Sequence, residues 1–136
     1  MGARKRTSAE ASKKISKKVA FAKLNNCPTS PRKMRLAAGL VRGVEVEKAI
    51  HILKHSPLEA SRRLHKLLLS AIANWQAKNE GVRIEDANLI VKEIAVDSGR
   101  VLKRIQTAPQ GRAYRLRKPS NHVTLIVDNK KEEKNI

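Results

Sequence analysis

The chain has few acids and few aromatic rings. Among its 136 residues, 12 Asp and Glu stand against 30 Lys and Arg, with one Phe, one Tyr and one Trp. Three rings are too few for a surface of stacked bases, which needs several aromatics. The scarce carboxylates offer no clear set of magnesium ligands for phosphoryl transfer. Cys27 is the only cysteine, which excludes an intramolecular disulfide. No apolar run reaches the roughly 18 residues that a spanning helix needs. Arg4, Lys5 and Arg6 have no apolar stretch behind them, so no secretory signal is expected. Neither a GxGxxG nor a Walker-type loop occurs. The length suits one domain with tails, too small for a two-domain catalytic cleft.

What is abundant is positive charge. The formal net charge of +18 points to a polyanion, with nucleic acid ahead of an anionic membrane surface. The excess is uneven. Residues 1–35 carry 11 basic groups and one acid, Glu10; residues 36–96 carry 9 and 7. Residues 97–118 carry 7 basic groups and one acid, Asp97, and 119–136 balance at 3 and 3. From Ser98 to Val127 there is no acid. A nearly neutral middle thus lies between two cationic segments, whose repulsion phosphates would offset with release of counterions.

Residues 1–18 read as a mobile basic tail, with Lys13, Lys14, Lys17 and Lys18 in two close pairs. Helix on binding is possible there but not required. Val19 to Leu24 reads weakly as a strand. Ser30 and Pro31 are suited to open a helix, serine as cap and proline in the first turn. Met34, Ala37, Ala38 and Val41 share one face, with Arg32, Arg35 and Arg42 pointing away. Basic groups in a first turn oppose the helix dipole, which suits phosphate contact better than helix stability. A short helix over about 45–54 follows, with Ala49, Ile50 and Leu53 inward. Ser56 and Glu59 then have capping-box spacing for a long helix to about Lys78. Its stripe is Ala60, Leu64, Leu67, Leu68, Ala71 and Trp75, which assigns Trp75 to the core. Glu59 and Arg63 can pair at four residues.

Beyond that, residues 89–96, 112–118 and 122–127 read as strand, with the turn at Pro109, Gln110 and Gly111. The expectation is one long antiparallel hairpin over about 89–118, its base in a sheet and its distal part projecting. Ile90, Ile94 and Val96, with Val123, Leu125 and Val127, can line a core face. Residues 99–117 have too few apolar side chains for one and need an external partner. Arg115 and Arg117 share a face by the period of two. Residues 129–136 read as a polar tail.

Catalytic patterns are poor. His51 and His55 have the spacing of two ligands on a helix, but the residue after His51 is Ile52, not the glutamate of zinc proteases. Glu85 and Asp86 are adjacent and would face opposite ways on a strand. Cations spread over a tail, a helix and a hairpin do not fit one DNA groove. They fit a partner that wraps the protein, as folded RNA does.

Several stretches resemble the bacterial large-subunit ribosomal protein twenty-two family. They are Ser30 to Leu36 ending in Arg42 and Gly43, and Ser70 to Asn74. Lys103, Arg104 and Ile105, then Gly111, Arg112 and Ala113, then His122 complete the set. The resemblance covers about residues 20–127. It implies an α+β fold of three helices on a three-stranded antiparallel sheet, with a long protruding β-hairpin and here a basic N-terminal tail. A single domain is expected over 19–128.

It also implies a cytoplasmic structural constituent of the large ribosomal subunit, not an enzyme, with no cofactor or metal. Implied partners are 23S rRNA, neighbouring large-subunit proteins and, transiently, the nascent polypeptide. No membrane is involved, and the protein is a monomer within the ribosome. The rRNA-binding candidates are Lys13, Lys14, Lys17, Lys18, Ser30, Arg32, Lys33, Arg35, Arg42, Arg100, Lys103, Arg104, Arg112, Arg115, Arg117, Lys118 and His122. The hairpin lining the exit tunnel would be Leu102, Lys103, Arg104, Ile105, Gln106, Thr107, Ala108, Pro109, Gln110 and Gly111. The tip departs from the family's usual Pro-Arg-Ala-Lys/Arg-Gly type and lacks two cations. Asn121 replaces the usual serine before His122. A free-standing DNA- or RNA-binding regulator is the alternative reading.

Overall fold

The computed structural model describes residues 3–79, 81–84 and 87–129, and for 14–18 the backbone only. Glu85, Asp86 and the expected polar tail from residue 130 onward lie outside the described residues. Four helices and three strands occur among those described. In chain order they are α1 (Ala3–Lys18), β1 (Ala20–Cys27), α2 (Pro31–Gly39), α3 (Val46–His55), α4 (Glu59–Lys78), β2 (Leu89–Thr107) and β3 (Ala113–Asn129). The sheet is antiparallel with order β1-β3-β2, which makes β3 its centre. The class is the expected α+β.

The helix count is one higher than expected, because the segment read as a tail forms α1. Its backbone has no glycine or proline to break a helix, and Ala, Lys, Arg and Glu are good helix formers. Arg6 Nε donates to Glu10 Oε1 at 2.9 Å, one turn on. The hydroxyl of Thr7 donates back to the carbonyl of Ala3.

One face of the sheet holds the core. Val123, Leu125 and Val127 of β3 are buried against Ala20 and Ala22 of β1 and Val91, Ile94 and Val96 of β2. The helices and the turn after α2 supply Met34, Ala37, Ala38 and Val41, then Ala49 and Leu53, then Leu64, Leu68, Ala71 and Trp75. Burying each large apolar side chain is worth about 1.5–3 kcal/mol. Ile90 is only half-buried, and Val91 takes the inward position expected for it. The cause is a bulge at Lys92, which slips the alternation by one residue between Val91 and Ile94.

Two expected caps are not made by side chains. Ser30 closes α2 through its carbonyl, which accepts from Met34 N–H at 3.0 Å. At α4, Glu59 does not reach back to Ser56 but pairs with Arg63 at 2.8 Å. The Ser56 hydroxyl bonds the Ser61 hydroxyl instead, at 2.9 Å. The edge strands are covered where they leave the core. Gly43 N–H donates to Val91 O and Val91 N–H to Val44 O, at 2.8 and 3.0 Å, and these bonds cover β2. On β1, Asn74 Nδ2 donates to Phe21 O and Lys78 Nζ to Val19 O, at 3.0 and 2.6 Å.

A second bulge separates sheet from arm. Ser98 pairs with Asn121 and Val101 with Pro119, so Gly99 and Arg100 oppose Ser120 alone. Pro119 has no N–H to offer a ladder and stands beside this irregularity, where its lack is tolerated. Ser120 Oγ donates to Arg100 O at 2.6 Å. A Cβ on Gly99 would lie 2.7 Å from that Oγ and 3.0 Å from His122 Nε2. Gly99→Ala should therefore displace the Ser120 bond and destabilise the free chain by about 1–2 kcal/mol. Denaturant unfolding checks it, and Ser120→Ala in the same chain should recover part of the loss.

Candidate nucleic-acid interface

Beyond the second bulge the ladder runs on without a core. Pairs from Val101↔Pro119 to Thr107↔Ala113 form a ribbon of seven residues per strand, about 23 Å long. Every residue from Arg100 to Thr107 and from Pro109 to Lys118 is exposed, Ile105 at 76% and Tyr114 at 62%. The tip is a tight turn. Arg112 N–H donates to Pro109 O, with Gln110 and Gly111 between them at φ +61° and +69°. Two consecutive positive φ values are those of a type I′ turn, which matches the twist of a two-stranded ribbon. Gly111 meets this freely, whereas Gln110 carries a modest strain.

The register sorts the candidate cations by face. Lys103 stands opposite Arg117, and Ile105 opposite Arg115, so Lys103, Arg115 and Arg117 share one face. Arg104 pairs with Leu116 and Leu102 with Lys118, which puts Arg104 and Lys118 on the other. Lys103 and Arg104, adjacent in sequence, thus point to opposite sides of the arm. A shallow hollow of about 400 Å³ in the ribbon is lined by Lys103, Arg104, Ile105, Arg115, Leu116 and Arg117. Four of those six are cations and none is an acid, while most of its exposed lining is apolar. Like charges directly across a ladder are destabilising, as at Lys103 and Arg117.

The basic residues of α2 and of the turn that follows it divide into two kinds. Arg32 and Lys33 are exposed and make no hydrogen bond or ion pair among the described residues. Arg35 donates through Nε and Nη2 to Val96 O, at 3.3 and 3.1 Å, and Arg42 Nη2 donates to Ile94 O at 3.0 Å. These carbonyls are two residues apart on β2, an edge strand, which leaves alternate carbonyls unpaired by the sheet. The guanidiniums therefore do not simply point away, as the helical period suggested. They fasten α2 to the strand that becomes the arm, and their remaining N–H groups are still outward donors. Arg35 and Arg42 thus stand along β2 at Val96 and Ile94, just before the arm.

His122 is also used internally. Its Nδ1 accepts from Asn26 N–H at 3.1 Å, where β1 is irregular and Asn26 has φ +53°. Asn121 beside it is fully buried and donates to Thr29 O and Oγ1, at 2.6 and 2.8 Å. The buried Cys27 thiol lies 3.2 Å from the same Thr29 hydroxyl. Ser30 follows, half-buried at the start of α2. Residue types alone did not reveal Gly99, Asn74, Lys78 and Asn121, because each matters through one partner distant in sequence.

The backbone of the tail is not brought to this site. Ala20 pairs with Val127 and Cys27 with Asn121, so α1 enters the sheet at the end opposite the arm. Lys13 is exposed on α1; the side chains of Lys14, Lys17 and Lys18 lie outside the described residues. His51 and His55 are exposed on α3, and no group of three or more His, Cys, Asp or Glu among the described residues can hold a metal. No helix of those described is long and apolar enough to cross a membrane.

Residues 22–128 match the family described as Ribosomal protein L22p/L17e. The chain is 69% identical over 127 residues to the large ribosomal subunit protein uL22 of Christiangramia forsetii, covering 93% of this chain and 94% of that one. For the protein of the same name from Flavobacterium johnsoniae the figures are 63% over 127 residues, and 93% of each chain. With that of Porphyromonas gingivalis they are 56% over 135 residues, 99% of this chain and 100% of the relative. The family match leaves α1 out, whereas the last alignment takes it in.

The anchoring role of α2 separates its cations by experiment. Arg35→Ala and Arg42→Ala should each cost the free chain about 1 kcal/mol, because a strand carbonyl loses its charged donor at a partly exposed site. Arg32→Ala and Lys33→Ala should stay within about 0.5 kcal/mol. Thermal or urea unfolding of the four variants distinguishes the two kinds.

Proposed function

Because the chain belongs to the ribosomal protein L22p/L17e family, we propose that it works as a structural constituent of the cytoplasmic large ribosomal subunit. There it binds 23S rRNA, supports subunit assembly and extends its arm along the nascent-peptide exit tunnel. The observation that carries this reading is the arm itself. It is a regular ribbon with cations on both faces, no acid and no core of its own. Such an element is stabilised by surrounding phosphates and is poorly suited to stand alone in water.

Each group of candidates takes a part in this reading. Arg32 and Lys33 give free charge to phosphates, while Arg35 and Arg42 give fixed charge in a set direction. Lys103, Arg115 and Arg117 serve one wall of the passage, and Arg104 and Lys118 the other. The tip from Thr107 to Gly111 makes its approach with uncharged side chains, leaving Arg112 as the first cation past the turn. The nascent chain then meets Gln, Thr and Pro there rather than the family's usual cations. Neighbouring large-subunit proteins and the nascent polypeptide are the remaining partners. The role is structural, not catalytic.

The test is sedimentation of tagged chain in cell extracts. The chain should travel with large subunits and their precursors after a high-salt wash; recovery only in soluble fractions would reject the reading. Joint Lys103→Glu and Arg104→Glu reversal should lower its share in large subunits several-fold. The same change should leave the stability of the free chain within about 0.5 kcal/mol, since both side chains are exposed and the reversal at position 103 sets an opposite charge across from Arg117.

A further inference from the structure

Among the described residues, helix α1 has no substantial packing partner. Every described side chain from Ala3 to Lys13 is exposed, and no other element meets α1 through more than a marginal contact. A lone helix of 16 residues is marginal in water even with good helix formers. This one also has charge against it. Its first turn holds Arg4, Lys5 and Arg6 and no acid, which opposes the dipole. Positions 13 and 17, and 14 and 18, place lysines four apart, a repulsive spacing. The Arg6–Glu10 pair is too exposed to offset this, at 82% and 53%. Something outside the chain must stabilise the helix.

The pattern of charge says what. By the helical period, positions 6, 13 and 17 form one row, and 4, 14 and 18 form another about 120° around the axis. Ala3, Thr7 and Glu10 lie between them, the carboxylate of Glu10 drawn back to Arg6 of the first row, and the far side is mostly Ala and Ser with one cation, Lys5. Two cationic rows on a thin rod match a groove with a phosphate backbone on each side. A single strand offers only one backbone. The helix starts from a fixed point, since Lys78 Nζ holds the carbonyl of Val19, the one residue between α1 and β1.

We propose that α1 is a coupled folding element that becomes helical on docking into a groove of double-helical RNA, with one backbone against each cationic row. This rests on the rRNA-binding reading of the chain and assigns a ligand class to a segment outside the family match. Disordered basic segments that fold on RNA follow the same physics.

Amide hydrogen exchange on the full chain tests it, free and with a stem-loop RNA or an unpaired strand of equal length. Amides of 3–18 should exchange at coil rates in the free chain. They should slow at least about tenfold on the stem-loop and not on the unpaired strand. Ala11→Pro breaks the helix at constant charge and should weaken stem-loop binding about tenfold. Replacing Lys13, Lys14, Lys17 and Lys18 by Gln should reduce the slope of log affinity against log salt by about 3–4. Protection of α1 in the free chain, equal protection on the unpaired strand, or undiminished binding by Ala11→Pro would each overturn the proposal. Failure of the unaltered chain to bind any RNA would overturn the rRNA reading first, and is distinguishable because it removes the salt slope altogether.

Discussion

One strand has to satisfy two environments, and the rest of the molecule is arranged around that constraint. β3 is the central strand of the sheet and also the return strand of the arm. From Asn121 to Val127 its alternate side chains are buried; from Ala113 to Lys118 none is. A continuous ladder would carry the alternation of the core straight into the arm. The bulge of Gly99 and Arg100 against Ser120 interrupts it at the boundary. Glycine fits there because a Cβ would press on the Ser120 hydroxyl and the His122 ring, one of which would have to shift.

Electrostatics divides the molecule at the same boundary. The core segment is close to neutral, so its stability comes from apolar burial and needs no counter-charge. The arm has no such burial and places Lys103 against Arg117. In isolation that pairing is a small penalty; beside phosphates it is a concentrated source of attraction. Stability of the free chain and affinity for RNA therefore draw on different residues.

Much of this was legible in the sequence. Helix periodicity identified Met34, Ala37, Ala38 and Val41, and the long stripe from Ala60 to Trp75, because a buried helix face repeats at 3.6 residues. The projecting hairpin followed from an acid-free stretch with too little apolar area for a core. What was not legible has a common cause. The Lys92 bulge and the place of Gly99 depend on β3, more than 20 residues on, and the bonds made by Arg35, Arg42 and His122 on partners 52 to 96 residues away. Local pattern carries no information about them. The tail reads as a mobile segment able to become helical on binding because its composition satisfies both descriptions, good helix formers on one side and repulsive charge on the other.

Arg35 of α2 and Arg42 of the turn after it show why a cation near RNA is not always only a phosphate contact. A guanidinium has five donors in a rigid fork, so it can satisfy a strand carbonyl and still present N–H groups outward. Lysine in the same place would have to choose, because its flexible stem fixes no direction for the donors left over. Arg35 and Arg42 thus spend part of their capacity on Val96 and Ile94, three to five residues before the second bulge. The outward donors are then held in a fixed relation to the arm. A partner that binds the α2 row meets an arm already aimed, and less ordering entropy is lost on assembly than with two independently mobile basic elements.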